Sequence, residues 1–239
     1  MKRKLDALAL LVRWSKRFCL LLMFFPLSLR AEADTVVALR NALRDANSDS
    51  LRFVLYERLA KAQLDSSFDA ATITFAQWVD LAIKRGAFRD AGRAENCWGI
   101  EYLHRGDLPQ ALRHFSRSVQ NYQEATDHSG LARAYNNMGI TLRREGRFKE
   151  AFLAFLEAMK GFKIVNDALG MAMVYNNLAQ IYYQYGQYGQ ALEYFSEYVR
   201  YNKANRKALE TANGENNLGA TYYELKDYKN ALSHYYRSY

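Results

Sequence analysis

The 239-residue chain carries 33 Lys and Arg against 25 Asp and Glu, is half apolar, and has only two prolines, 13 glycines and two cysteines. Such a chain is too apolar for intrinsic disorder and too poor in turn residues for a β-rich fold, and Cys19 and Cys97 exclude a disulfide scaffold or a cysteine-rich metal site. Seven of the bases and two of the acids lie in Met1–Ala33, so the rest of the chain has a small excess and no basic run, which disfavours nucleic acid as a partner.

Met1–Arg17 is a basic leader, Phe18–Leu29 is an apolar run, and Ala31-Glu32-Ala33 places small residues at the first and third places of a cleavage signal. This order predicts a signal peptide over residues 1–33, cleaved after Ala33, and a periplasmic or secreted protein. Arg17 and Arg30 close the run well short of the roughly 20 residues that a membrane span needs. An uncleaved anchor is the alternative reading. Cleavage leaves Cys97 as the one cysteine of the mature chain, expected to pack as a small apolar residue. Asp34–Ala46 is expected to be an extra helix. Leu51–Ala62 is apolar at helical spacing, and Phe68, Ala71 and Phe75 follow a pattern that recurs 40 residues later. Residues 34–87 are therefore expected to form an N-terminal helix and a degenerate, capping repeat.

From there a 40-residue period organises the chain. Asn96-Cys97-Trp98-Gly99, Asn136-Asn137-Met138-Gly139, Asn176-Asn177-Leu178-Ala179 and Asn216-Asn217-Leu218-Gly219 stand in one register. Behind them align Tyr102, Leu142, Tyr182 and Tyr222; Gly106, Gly146, Gly186 and Lys226; Ala111, Ala151, Ala191 and Ala231; and Phe115, Phe155, Phe195 and Tyr235. Each unit reads as two helices. Tyr135, Met138, Gly139 and Leu142 make one apolar stripe, and Phe148, Ala151, Phe155 and Ala158 another. Gly146 sits where a left-handed helix end favours the absence of a Cβ. Four units are predicted over 88–239, at 90–129, 130–169, 170–209 and 210–239, the last incomplete.

The Leu-Gly-x-x-Tyr of Leu218–Tyr222 and the Gly186-to-Phe195 segment resemble the tetratricopeptide repeat. The period departs from that family's usual length of about 34 residues, its closing proline is missing, and Tyr198 stands where a small residue is usual. The resemblance implies an all-α, right-handed superhelix of helix-turn-helix repeats that binds a protein or peptide in a concave groove. It places Asn96, Asn136, Asn176 and Asn216 in that groove, with Gln180, Arg143, Tyr183 and Tyr223 selecting ligand side chains. The second asparagines, Asn137, Asn177 and Asn217, suit a structural role about as well as a binding one. Arg143, Arg144 and Arg147 favour an acidic ligand or form a solvated charged edge. On this reading Asn136→Ala with Asn176→Ala weakens ligand binding and spares stability.

No catalytic constellation is present in the sequence. No two of His104, His114, His128 and His234 lie three or four residues apart, so no helix offers a metal pair. Phosphate loops, nucleophile elbows and paired-carboxylate motifs are absent. A non-catalytic domain with no cofactor, no metal and no catalytic residue is expected. Leu232, Tyr235, Tyr236 and Tyr239 would be left partly uncovered, which predicts a chain that continues past Tyr239 or self-association through that end. A second reading follows: an N-terminal sensory region of a longer signalling protein, such as a histidine kinase, diguanylate cyclase or transcription regulator, touching the membrane only through a later span. A passive assembly scaffold is a third.

Overall fold

A computed structural model describes the backbone from Leu27 and the side chains from Asp34 to Tyr239. Most of the expected signal peptide lies outside the described residues, and Ala33 lies within the first helix. The described residues form helices only: α1 (Leu27–Asp45), α2 (Asp49–Leu64), α3 (Phe68–Lys84), α4 (Phe88–His104), α5 (Leu108–Glu124), α6 (His128–Arg144), α7 (Phe148–Ile164), α8 (Ala168–Gln184), α9 (Tyr188–Ala204), α10 (Ala208–Glu224) and α11 (Tyr228–Arg237). None of them is long and apolar enough to cross a membrane.

The described residues fall into two compact units, one ending at Gln77 and one over Trp78–Tyr239, divided within α3. In the first, Phe53, Leu55, Leu59, Ala60, Ala71 and Phe75 are buried, and the buried Gln63 side-chain amide donates to the Thr74 hydroxyl at 2.6 Å.

In the second unit the 40-residue period divides into two equal halves of 20. Each helix from α4 to α10 has 17 residues, and three residues join it to the next. The middle residue of every joint has a positive φ: Gly106 (79°), Thr126 (53°), Gly146 (77°), Asn166 (53°), Gly186 (68°), Arg206 (54°) and Lys226 (61°). This left-handed residue turns the chain so that the next N–H reaches back to a carbonyl five residues earlier, as Asp107 does to Tyr102 (3.0 Å) and Arg147 to Leu142 (2.9 Å). The same third residue often starts the following helix. Asp107, Asp127, Asp167 and Asp227 each accept an N–H of the next first turn through the side chain. One aspartate thus serves the end of one helix and the start of another, which is why the joint needs no fourth residue.

Within a pair, a small residue lets a ring approach the opposing backbone. A Cβ at Gly99 would lie 2.7 Å from the Phe115 ring, and one at Gly139 2.7 Å from the Phe155 ring. Ala111, Ala151, Ala191 and Ala231 are all buried, as are Phe115, Phe155 and Phe195. The core of the middle repeats is continuous: Phe155 and Phe162 of α7 cluster with Leu142 of α6 and Val174, Leu178 and Ile181 of α8.

Candidate functional site

The asparagine column builds a ladder across the first helices of the pairs. Asn137 Nδ2 donates to Asn96 Oδ1 at 3.0 Å, Asn177 Nδ2 to Asn136 Oδ1 at 3.0 Å, and Asn217 Nδ2 to Asn176 Oδ1 at 3.4 Å. The second asparagine of each repeat therefore reaches back to the first asparagine of the repeat before it. α4, α6, α8 and α10 are bridged in turn, and the carbonyl oxygens of Asn96, Asn136 and Asn176 are engaged. An amide carries two donors beside its acceptor, so the Nδ2 hydrogens of these residues take no part in the bridge.

The first asparagines differ in access. Asn96 and Asn176 are half-buried and Asn216 is exposed, whereas Asn136 keeps only 3% of its surface. Asn136 is thus as much a structural acceptor as a binding candidate. Asn96, Asn136 and Asn137 line a pocket of about 270 Å³ with Ile100, Arg133, Phe162, Asp167 and Met173, so that amides, a guanidinium and the helix-capping Asp167 carboxylate stand beside apolar walls.

Arg143 lies on the Asn136 side of α6, seven residues on, and is half-buried. Burial, with Arg144 next to it, lowers its pKa from the usual arginine value. Among the described residues its buried Nε has no hydrogen-bond acceptor. Its neighbours are held differently: Arg144 donates to the Leu103 carbonyl at 3.3 Å, and Arg147 pairs with Glu145 (3.0 Å) and Glu150 (2.6 Å). The three arginines that look alike in sequence therefore have three different situations.

Gln180 is half-buried on α8, one turn past Asn176. The Tyr183 hydroxyl donates to Glu224 at 3.4 Å and that of Tyr188 to the same carboxylate at 3.5 Å. Burial and the Glu224 carboxylate raise the Tyr183 pKa. Tyr183 and Tyr188 meet edge to face at 5.6 Å, and Tyr223 and Tyr228, one repeat on, at 5.5 Å. Tyr223 is exposed. The structure thus brings Asn96 and Asn136 together in one pocket, sets Tyr183 against Glu224, and leaves Asn216 and Tyr223 open on α10.

Two acid–base pairs, one buried and one part-buried, join helices that the sequence treats separately. His114 Nδ1 lies 2.6 Å from Glu95 Oε2, and His234 Nδ1 lies 2.6 Å from Glu215 Oε2. Tyr102 stacks on His114 at 5.3 Å and Tyr222 on His234 at 5.1 Å. The third repeat puts Tyr175, Tyr194 and Tyr182 at the same places. The signal was present: Glu95 and Glu215, like His114 and His234, are three periods apart. These pairs sit between the helices of one repeat and hold it together; among the described residues no cluster suits a metal.

Burial by itself raises the Glu215 carboxyl, but hydrogen bonds from Lys203 (2.5 Å) and His234 outweigh it and hold its pKa below the usual 4.5. A carboxyl with a depressed folded pKa stabilises above its unfolded value and loses that contribution as pH falls through the folded one. The last repeat should therefore lose stability on acidification below about pH 4.5, and Glu215→Gln should flatten that slope in urea melts across the range. An unchanged slope in Glu215→Gln would contradict this assignment.

Comparison with known proteins agrees with the geometry. Residues 90–164 match one family model described as tetratricopeptide repeat, and residues 172–205 match a second with the same description. No curated protein matches the sequence. Among solved structures, BtubC (BKLC) from P. vanneervenii superposes with a TM-score of 0.75 at 18% identity, over 87% of each chain. A signal transduction ATPase with numerous domains from Pyrococcus horikoshii, which carries a tetratricopeptide repeat sensor, gives 0.68 at 16% identity, over 82% of this chain and 31% of that one. At such identities the likeness is one of fold.

Proposed function

Because the chain contains tetratricopeptide repeats over residues 90–164 and 172–205, a protein-binding repeat domain, we propose that it is a non-catalytic receptor for an extended peptide or protein segment, working outside the cytoplasm. The ligand runs across α4, α6, α8 and α10, along the asparagine ladder.

The bridging of the ladder carries this reading. Each bridge fixes an amide by its oxygen and so orients its N–H groups before any ligand arrives, which reduces the ordering that binding requires. The accessible amides of Asn96 and Asn176, fixed in this way, and the exposed Asn216 beyond them match carbonyls of a peptide backbone and are indifferent to its sequence, while the buried Asn136 holds the ladder together. Selection then falls to the flanking side chains, Arg143 and Gln180 at the centre and Tyr183 and Tyr223 towards the C-terminal end. The basic, apolar and small-residue order of Met1–Ala33 supports export.

The test is peptide selection from a random library, followed by photocrosslinking from Ile140, which packs among the first helices, or from the exposed Leu153 of α7. Crosslinks should form from Ile140 and not from Leu153. Asn216→Ala, at an exposed site, should weaken the selected peptides about two- to tenfold, the loss of one hydrogen bond, with an unchanged melting temperature. Crosslinking from Leu153 alone would contradict the face. Mature protein recovered from cells should begin at Asp34; recovery starting at Met1 would contradict export by cleavage.

A further inference from the structure

Two unpaired arginines mark the middle of the proposed face. Arg133 and Arg143 lie on α6 on either side of Asn136 and Asn137, ten residues or about 15 Å apart along the helix. Among the described residues neither has a carboxylate within ion-pair distance, while nearby cations do: Arg89 with Asp127 (2.8 Å), Arg147 with Glu145 and Glu150, and Lys160 with Glu157 (2.6 Å). Arg133 lines the asparagine pocket beside Ile100 and Met173. Arg143 is half-buried, and its buried Nε has no acceptor among the described residues, so no fixed carboxylate neutralises its charge.

Two repeats later two of these columns are neutral and one is acidic. The places of Arg133, Arg143 and Arg144 on α6 are taken on α10 by Asn213, Tyr223 and Glu224. Glu224 is exposed, and its two tyrosine contacts are long, at 3.4 and 3.5 Å. The face is thus cationic at α6 and anionic at α10.

We propose that the ligand is a charge-segregated segment, with an acidic stretch over α6 and a basic stretch over Glu224 and the tyrosines of α8 and α10. This rests on the reading that peptides bind along this face, and adds what they must look like. A uniformly acidic segment gains at α6 and is repelled at α10; only one with both blocks gains at both ends. First helices two steps apart are about 16–20 Å apart, so the block centres are five to six residues apart in an extended chain. The charge order also fixes the direction in which the segment lies.

The test uses the full chain and three fluorescent synthetic peptides of identical composition: acidic block then basic, basic block then acidic, and the charges alternating. In fluorescence anisotropy at low salt, one block order should bind at least about tenfold tighter than the alternating peptide, and added salt should shrink that advantage. Arg133→Gln with Arg143→Gln should remove most of it. Arg133→Gln alone, at an exposed site, should reduce it without touching the melting temperature, and Glu224→Gln should reduce it while binding of a wholly acidic control tightens. Equal affinity for block and alternating peptides, with Asn216→Ala weakening all alike, overturns the inference and leaves the binding face standing. Binding that ignores every substitution on the face, or no binding, overturns both.

Discussion

Phe155→Ala should destabilise the repeat unit by about 3–5 kcal/mol, the cost of emptying an aromatic-sized volume in a close-packed core. Phe155 is fully buried, its ring lies against the Gly139 backbone, and it clusters with Leu142, Ala151 and Phe162. Gly139 and Ala151, which face the ring, have no side chain to extend into the space. At about 2–4 °C per kcal/mol for a chain of this size, the melting temperature should fall by roughly 6–20 °C. Repeats contact mainly their neighbours, so hydrogen exchange should accelerate in α6, α7 and α8 before it does in α4 or α10. A loss under about 1 kcal/mol in urea melts would contradict this packing.

Gly170→Leu should be among the most damaging single substitutions that add atoms. A Cβ at Gly170 would stand 2.3 Å from Phe162 Cδ1, and Phe162 is itself 1% exposed. Overpacking costs about 1–3 kcal/mol where neighbours can shift, and the upper end or beyond is expected where the neighbour is a buried ring. A double-mutant cycle isolates the cause. In a Phe162→Ala background, Gly170→Ala should cost clearly less than in the native protein, because the colliding ring is gone. Additive effects would show that the glycine is needed for its backbone alone. Gly130 repeats the arrangement against Tyr122, at 2.2 Å.

The helical pairs were legible because each repeats its cues every 40 residues. Apolar stripes at three- and four-residue spacing, and glycines such as Gly146 at the left-handed joint, are local properties that need no knowledge of a partner. Thr126, Arg206 and Lys226 occupy the same left-handed position without being glycine, so the joint is imposed by the stacking rather than by residue type alone.

The asparagine column shows where this reach ends. The sequence places Asn136 and Asn176 in phase and suggests that their loss affects binding only. The structure makes Asn136 the acceptor of the Asn177 amide in a buried bond, so Asn136→Ala strands a donor and costs stability as well, on the order of 1–3 kcal/mol. The histidines show the same limit. Searched along single helices they form no pair, yet His114 and His234 meet Glu95 and Glu215 across the helices of their own repeats.

The period, the helical hairpins and the family likeness were thus determined by the sequence itself, since hydrophobic spacing and backbone preference act over a few residues. Which amide is bridged, which arginine stays without a carboxylate and which glycine lies under a ring were decided by tertiary structure alone. Those contacts join residues 19 or 41 positions apart, or set a ring against backbone, and their energies depend on distances that only the packed helices define.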